Sequence, residues 1–273
     1  MKNLLSIVMV ALMSLCSCTL SARQASSKQT FNISGDYTAI EVNNNIEVKY
    51  TIGTPGPAQV EFRNGASADN FSLNVNNGTL VLKHKGNGSV KVTLSGKPLS
   101  GIAASNNAEV DIEQMLSVTG DLSIAVSNNA EVSLAGVSCQ NLHVASANNA
   151  EVKIGRVLAV NQVEVASANN AEVDFGHTDC VSFNVASANN AEVEVSWLNC
   201  TSSSFAAANN ASITAKGKSP ASDFAASNNA SIEVDELSVN HATALATDYS
   251  RIHCHVGQLT ITERAPHAVI RNK

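Results

Sequence analysis

Apolar and polar residues alternate strictly around an Asn-Asn pair that recurs through the second half of the chain. In the copy at 142–154, the even positions are apolar at both ends, and the odd positions are mostly small or polar. This period of two predicts strands rather than helices. The eight letters ASANNAEV occur unchanged at 145–152, 166–173 and 186–193. The pattern therefore predicts two strands joined by a fixed corner at the Asn pair.

The pairs recur at intervals of 19 to 22 residues, which is a period typical of solenoids. Asp248 takes the eighth position of the series. We therefore predict an all-β fold, a right-handed parallel β-helix with coils of ~20 residues stacked about 4.8 Å apart. The first Asn of each pair is Asn106, Asn128, Asn148, Asn169, Asn189, Asn209 or Asn228.

Asparagine suits such a corner for two physical reasons. It adopts left-handed backbone angles more readily than other non-glycine residues, and stacked amides can hydrogen-bond to one another in an Asn ladder. A buried amide without a partner costs about 1–3 kcal/mol, so we expect the first Asn to be the inner, laddered residue and the second to point outward. A structural role for the pair is favoured over a binding motif.

Similar corners occur earlier in the chain at longer intervals. Asn44-Asn45 and Asn76-Asn77 precede the regular series by spacings of 32 and 30 residues, which predicts early coils with long excursions. We expect one β-helix domain over 31–262, irregular to about residue 100 and regular over 101–255. The early coils and the tail at 263–273 are candidate end caps.

The core columns follow from the same alignment. Phe183, Phe205 and Phe224 are expected to stack inside the helix. Cys180 and Cys200 fall on adjacent coils, and the sequence leaves open whether they form a disulfide or remain free thiols.

Composition and charge narrow the function. The chain is 44% hydrophobic but only 4% aromatic, and its formal net charge of −6 argues against nucleic acid as a partner. The N-terminus has Lys2, an apolar stretch from Leu4 to Leu15, and then Cys16-Ser17-Cys18. It resembles a bacterial lipobox, which implies a signal peptide at 1–17, lipidation of Cys18, a flexible tether at 18–30 and attachment to a membrane through the lipid. An ordinary signal peptide is the alternative.

The phrases FNISGDYTAIEVNNNIEVKYTIG and VNNGTLVLKH, followed by strand-Asn-strand coils, resemble the bacterial family of putative autotransporter adhesins with a head GIN domain. The resemblance covers about residues 31–262. It implies a right-handed β-helix in a secreted or lipid-anchored protein of the Gram-negative envelope, at the outer membrane, with an adhesive role and no established catalytic residues. Where other members tend to have glycine and serine at the corner, this chain has Asn-Asn-Ala.

An acidic column is the candidate binding surface. Carboxylates repeated about 5 Å apart repel unless they are hydrated or bridged, and oxygen-rich sites suit Ca²⁺ or basic partner groups. A solvated edge that keeps the rod soluble is the favoured interpretation. The column comprises Glu109, Glu131, Glu151, Glu172 and Glu192, with Asp174 and Glu194 two residues further along.

Catalysis has little support in the sequence. A polysaccharide lyase needs a positioned base, yet residues 101–255 contain few Lys or Arg, and these fall at different positions of the repeat. A hydrolase needs a singular pair of carboxylates, whereas these repeat regularly. His253, Cys254 and His255 alternate in direction, which argues against a metal site. We expect an adhesin or interaction protein, without catalysis or cofactor, for a surface glycan or protein ligand. The alternatives are a polysaccharide-active enzyme and a periplasmic structural lipoprotein.

Overall fold

The computed structural model describes residues 26–273; the signal peptide and Cys18 lie outside the described residues. One short 3₁₀ turn, Ala68–Asn70, interrupts a chain that is otherwise strands and loops over this range. The strands are β1 Ser27–Phe31, β2 Ala39–Asn43, β3 Ile46–Ile52, β4 Ala58–Arg63, β5 Phe71–Asn76, β6 Thr79–His84, β7 Ser89–Gly96, β8 Gly101–Ser105, β9 Glu109–Ser117, β10 Leu122–Ser127, β11 Glu131–Ala147, β12 Glu151–Ala168, β13 Glu172–Asp179, β14 Ser182–Ala188, β15 Glu192–Asn199, β16 Ser202–Ala208, β17 Ser212–Lys218, β18 Ala221–Ser227, β19 Ser231–Ala246, β20 Arg251–Arg264 and β21 Val269–Asn272.

From β8 onward, successive coils stack in parallel and in the register of the repeat. Ala125 pairs with Ala145, Ala145 with Ala166, and Ala166 with Ala186. The result is a β-solenoid of about nine turns of roughly 20 residues. The predicted parallel β-helix with coils of about 20 residues is therefore confirmed.

Each corner is made by two consecutive asparagines in the left-handed conformation. In the seven pairs from Asn106 to Asn229, φ lies between 51° and 63°. Two left-handed residues bend the chain while both side chains stay outside, and the following alanine, such as Ala150, is buried. In three coils a buried serine supports the bend from beneath; Ser146, for example, donates to the Ala150 carbonyl over 3.3 Å.

The interior is a set of stacked apolar columns. Phe183 contacts Phe205, and Phe205 contacts Phe224, each with ring centroids 6.0 Å apart. Phe175, which was not among the predicted stacking residues, extends this stack by an edge contact with Phe183, and the two ring centroids are 5.8 Å apart. All four rings are buried, so they form a continuous aromatic part of the core.

The interpretation of Asn76-Asn77 as an early corner is wrong. This segment joins β5 and β6 as an antiparallel hairpin, in which Asn76 pairs with Thr79. The positive φ values fall on Asn77 and Gly78. Asn-Gly is a preferred two-residue hairpin turn because both residues accept positive φ, and here it overrides the resemblance to the solenoid corner.

The early coils do not stack in chain order. The first corner, Asn44-Asn45, joins β2 and β3, and this coil lies between the β6–β7 coil and the β8–β9 coil. After β2–β3, the chain forms the terminal coil β6–β7 on one side of this first coil and then crosses to its other side to form β8–β9. Antiparallel strands cover the outermost edges, β5 on β6 and β4 on β7. Such covering protects an open solenoid end from pairing with other chains.

At the opposite end the tail adds a short strand. Strand β21 pairs in parallel with β20, and Asn272 bonds both the N–H and the carbonyl of Val256. Between residues 26 and 273, the structure contains no helix with the length and apolar character needed to cross a bilayer.

Candidate functional site

The first asparagines of the corners form a continuous ladder along the rod. Each side-chain N–H₂ donates to the side-chain carbonyl one coil nearer the N-terminus, over 2.9–3.2 Å between Asn106 and Asn228. The amide of Asn106 donates over 3.4 Å to Asn43, which pairs with Ser105, while the first corner asparagine of the early coil, Asn44, donates to the His84 carbonyl instead. The members from the regular coils are Asn106, Asn128, Asn148, Asn169, Asn189, Asn209 and Asn228.

The second asparagines form another ladder beside the first. It runs from Asn45 to Asn210 with bonds of 3.0–3.3 Å. Both columns are exposed to solvent. The expectation of an inner first asparagine and an outward second one is therefore wrong, because two successive left-handed residues direct both side chains outward.

Exposure leaves part of each amide available. A primary amide carries two N–H donors and two carbonyl lone pairs, and the ladder uses one of each on an internal residue such as Asn148. One donor and one acceptor per asparagine therefore remain for solvent or a ligand. Because the backbone and the neighbouring amides fix each side chain, these groups are held in a regular array.

Two columns of small side chains lie on the strand that approaches this corner. They occupy the outward positions three residues and one residue before the first Asn, and between Gly101 and Asn229 they contain only alanine and serine. The first column is Ala103, Ala125, Ala145, Ala166, Ala186, Ala206 and Ala225; the second is Ser105, Ser127, Ala147, Ala168, Ala188, Ala208 and Ser227.

We call these two columns together with the two asparagine ladders the alanine–asparagine face. Its alanines line a shallow groove of about 980 Å³ that extends from Glu41 and Asn43 at one end to Leu245 at the other. Within the regular coils the face carries no charged side chain. Glu164 lies at the edge of the face that is remote from the asparagines, and one of its carboxylate oxygens is 2.9 Å from His143 Nδ1.

The predicted acidic column lies on the strand that leaves the corner. Glu109, Glu131, Glu151, Glu172 and Glu192 are aligned in one register. Glu47 precedes them in the same column and contacts Lys91 and Arg63. Glu47 is an addition to the predicted column, and its offset from its Asn pair, the same as that of the others, is the sequence signal for it.

Three of these carboxylates converge. Single oxygens of Glu151, Glu172 and Asp174 lie within 4.8 Å of one another. Burial, together with Glu172 and Glu194, raises the pKa of Asp174 to about 6. Lys153 contacts Glu151 and opposes this shift only in part. The cluster is therefore electrostatically strained, which is the condition under which a cation or a basic group would be attracted.

The chain's single tryptophan lies on the third side of its coil. Trp197 is 51% exposed and lies in register with His177, which in turn aligns with Arg156. Exposed aromatic rings beside basic groups commonly bind sugars, so the column of Arg156, His177 and Trp197 is the alternative candidate for a binding surface.

Comparisons with known proteins agree with this architecture. The family model described as "Putative auto-transporter adhesin, head GIN domain" matches residues 36–196. No curated protein shows significant similarity to the chain.

Solved structures from Parabacteroides share the fold. A putative adhesin from Parabacteroides merdae has a TM-score of 0.61 at 16% identity, covering 91% of this chain and 96% of its own. A putative lipid binding protein from Parabacteroides distasonis has a TM-score of 0.62 at 17% identity, covering 92% and 98%. A putative adhesin from P. distasonis has a TM-score of 0.59 at 15% identity, covering 90% and 95%. At such identities the likeness shows the fold alone.

Proposed function

The chain belongs to the family of putative auto-transporter adhesins with a head GIN domain, and from this membership we propose that it is a lipid-anchored adhesin of the cell envelope whose binding surface is the alanine–asparagine face. The lipid anchor rests on the lipobox-like sequence that ends at Cys18. Residues 18–26, which precede β1, would hold the rod away from the membrane. The family is described as adhesins rather than enzymes, and the repeated carboxylates do not form a singular pair suited to hydrolysis.

One observation supports the choice of this surface. Each internal amide of the two ladders keeps one free N–H donor and one free carbonyl acceptor, and these groups lie in a fixed array beside uncharged methyl groups. A rigid array loses little conformational entropy when a ligand binds. A polymer that lies along the groove can contact successive coils, so weak individual contacts add through multivalency. The face has no positive charge that would attract an acidic ligand, and the carboxylate of Glu164 nearby would repel one. A neutral partner is therefore favoured.

The chemistry of the array fits a neutral glycan that carries N-acetyl groups. An acetamido group has an N–H donor, a carbonyl acceptor and a methyl group, which match the free acceptor, the free donor and the alanine methyls of the face. We therefore assign the ligand class as N-acetylated neutral glycans. Recognition would depend on the polymer extending across several coils.

The binding experiment uses the purified chain on an array of neutral N-acetylated glycans, neutral glycans with hydroxyl groups only, and acidic glycans. We expect retention of the first class alone. Ala186→Arg places a long charged side chain on the exposed face and should weaken binding at least tenfold. Thr201→Arg adds the same charge at an exposed bend on another side of the coil and should leave binding unchanged.

Trp197→Ala separates the two candidate surfaces. Binding that survives Trp197→Ala and is lost in Ala186→Arg supports the alanine–asparagine face. The reverse pattern overturns it and assigns binding to the Trp197 column. Capture of peptides without any glycan overturns the ligand class. Circular dichroism and thermal melting of each variant check that the fold is intact.

Location is tested in cells by labelling with a fatty-acid analogue and by protease treatment of intact cells. Cys18→Ser should abolish labelling, whereas Cys16→Ser should retain it. Digestion of the chain on intact cells supports an adhesive role at the surface. Protection until the outer membrane is opened supports the alternative, a periplasmic structural lipoprotein.

A further inference from the structure

Two cysteines face each other across neighbouring coils. Cys180 directly follows β13 and Cys200 directly follows β15, and these strands are paired in register. The backbone N–H of Cys180 donates to the Asn199 carbonyl over 3.1 Å. Neighbouring coils lie about 4.8 Å apart, which falls within the range of about 4.4–6.8 Å between the Cα atoms of disulfide-bonded cysteines.

Both thiols are free and lie close enough to influence each other's ionisation. Cys180 is half-buried and Cys200 is buried. Their mutual hydrogen bond raises the pKa of Cys180, and the same bond, with help from Ser219 and the Ser202 backbone, lowers the pKa of Cys200. Cys180 is thus the more accessible sulfur, and Cys200 is the sulfur that more readily becomes the attacking thiolate.

The same column contains an internal comparison. Cys139 is also a free, buried cysteine, but its neighbour on the next coil is Ala159, which separates it from Cys180. Cys139 therefore has no thiol on the next coil to react with. Its pKa is raised to about 11, chiefly by burial, which further disfavours the thiolate.

We propose that Cys180 and Cys200 are a redox-active pair that a low-molecular-weight disulfide converts into an intramolecular disulfide between two coils. Once deprotonated, the more accessible Cys180 sulfur attacks the reagent, forms a mixed disulfide and releases one reduced thiol. The Cys200 thiolate then attacks the Cys180 sulfur and expels the second thiol. The two protein sulfurs lose two electrons in total, and the reagent is reduced to two thiols, which take up the two protons.

The bond has a mechanical consequence. It closes one full coil, from Cys180 to Cys200, at the level where Phe183 and Phe205 fill the core. A closed loop of this size restricts the unfolded chain. Cys180 and Cys200 lie just past the ends of β13 and β15, and the backbone N–H of each still donates to the next coil, to Asn199 and to Lys218, so the backbone holds the two residues on adjacent coils. The pair therefore acts as a reversible clamp that oxidation closes and reduction opens.

The test equilibrates the purified chain with oxidised or reduced glutathione, blocks the remaining thiols by alkylation and maps the peptides. Oxidation should protect Cys180 and Cys200 from alkylation and yield one cross-linked peptide that contains both. Mapping also separates this bond from any formed by Cys16 and Cys18. Alkylation of both Cys180 and Cys200 after oxidation, or a cross-link to Cys139, overturns the proposal.

Variants connect the bond to its effect. Oxidation should raise Tm by roughly 5–10 °C, and dithiothreitol should reverse the rise. Cys139→Ser should keep the rise, whereas Cys180→Ser and Cys200→Ser should each abolish it. Because serine could disturb the core at Cys200, Cys200→Ala provides a second variant, and circular dichroism confirms its fold. A mapped disulfide without any rise in Tm overturns the role as a clamp.

Discussion

Asn169 donates its side-chain amide to Asn148 over 2.9 Å, while its own backbone N–H donates in the opposite direction, to Ala188 on the following coil, over 3.2 Å. The corner is therefore held to both of its neighbours by one residue. Because the side chain is exposed, water can replace a lost ladder bond, and the backbone conformation becomes the larger contribution.

Two substitutions at Asn169 separate these contributions. Asn169→Gly loses the ladder bonds but accepts positive φ, so we expect a loss of about 1 kcal/mol in the free energy of unfolding. Asn169→Ala also forces alanine into the left-handed region, so the loss should be about 2 kcal/mol. Chemical denaturation of both variants measures the difference.

The second ladder makes a matched prediction. Asn170 has φ of 61° and the same kind of ladder bonds, so Asn170→Ala should cost as much as Asn169→Ala. A clearly smaller loss at Asn170 would indicate that only the first column supports the fold. Losses near zero for both alanine variants would contradict the assigned role of the corner.

The regular coils were predictable because the information is local and repeated. Each Asn pair sets a positive-φ corner, and strict alternation on both sides decides which residues enter the core. The hairpin at Asn77-Gly78 was misassigned because a local Asn-Asn match was preferred to the Asn-Gly turn signal. The placement of the first coil between two later ones was not predictable, since strand partners depend on long-range packing rather than on local pattern.

The candidate surface was predictable only in part. The alanines of ASANNAEV are visible in the sequence, but a small residue at an outward position gives no sign of its role until the neighbouring coils form a groove. The alignment of the acidic residues followed from the repeat. The convergence of Glu151, Glu172 and Asp174 depends on side-chain directions and on Lys153 contacting Glu151, which spacing alone does not fix.

Asp174 should make the fold less stable above about pH 6 than near pH 4. Its folded pKa of about 6 exceeds the ordinary value of 3.8, so the folded state holds the proton more tightly, and stability falls as pH rises from about 4 to 6. Asp174→Asn should therefore be more stable than the parent chain at pH 7.5, by about 1 kcal/mol after allowance for solvent screening. The advantage should disappear near pH 4. Urea denaturation at both pH values measures this, and Glu263→Gln, at an exposed position, should show no such gain.

The same cluster tests the cation hypothesis. If Ca²⁺ bridges Glu151, Glu172 and Asp174, millimolar CaCl₂ should raise the Tm of the parent chain and have little effect on Asp174→Asn. An equal concentration of MgCl₂ controls for ionic strength and charge. An unchanged Tm in the parent chain would leave the acidic column as a solvated edge.

His84 should limit stability in acid. It is fully buried at the end of β6, neither ring nitrogen finds a partner among residues 26–273, and burial lowers its pKa below 6.5. The unfolded chain binds a proton at this site more readily, so stability falls as pH decreases through about 6.5 and levels off below the folded pKa. His84→Leu should remove that loss and be neutral or stabilising at pH 7. Thermal melts from pH 5 to 8 check it, and the exposed His255→Gln should melt like the parent chain at each pH.

Gly176 lies directly against the backbone of Gly155 on the neighbouring coil. A Cβ added there would be 2.0 Å from the carbonyl oxygen of Gly155 and 2.9 Å from its carbonyl carbon, so the backbone itself must move. Gly176→Ala should cost about 1–3 kcal/mol, as overpacking in a rigid interior does. Gly120→Ala, where nothing lies within 4 Å of the added carbon, should be neutral. Since each coil contacts only its neighbours, hydrogen exchange in Gly176→Ala should accelerate mainly in β12 and β13. Uniform acceleration along the rod would mean that the solenoid unfolds as one cooperative unit instead of yielding at the coil where the backbone was displaced.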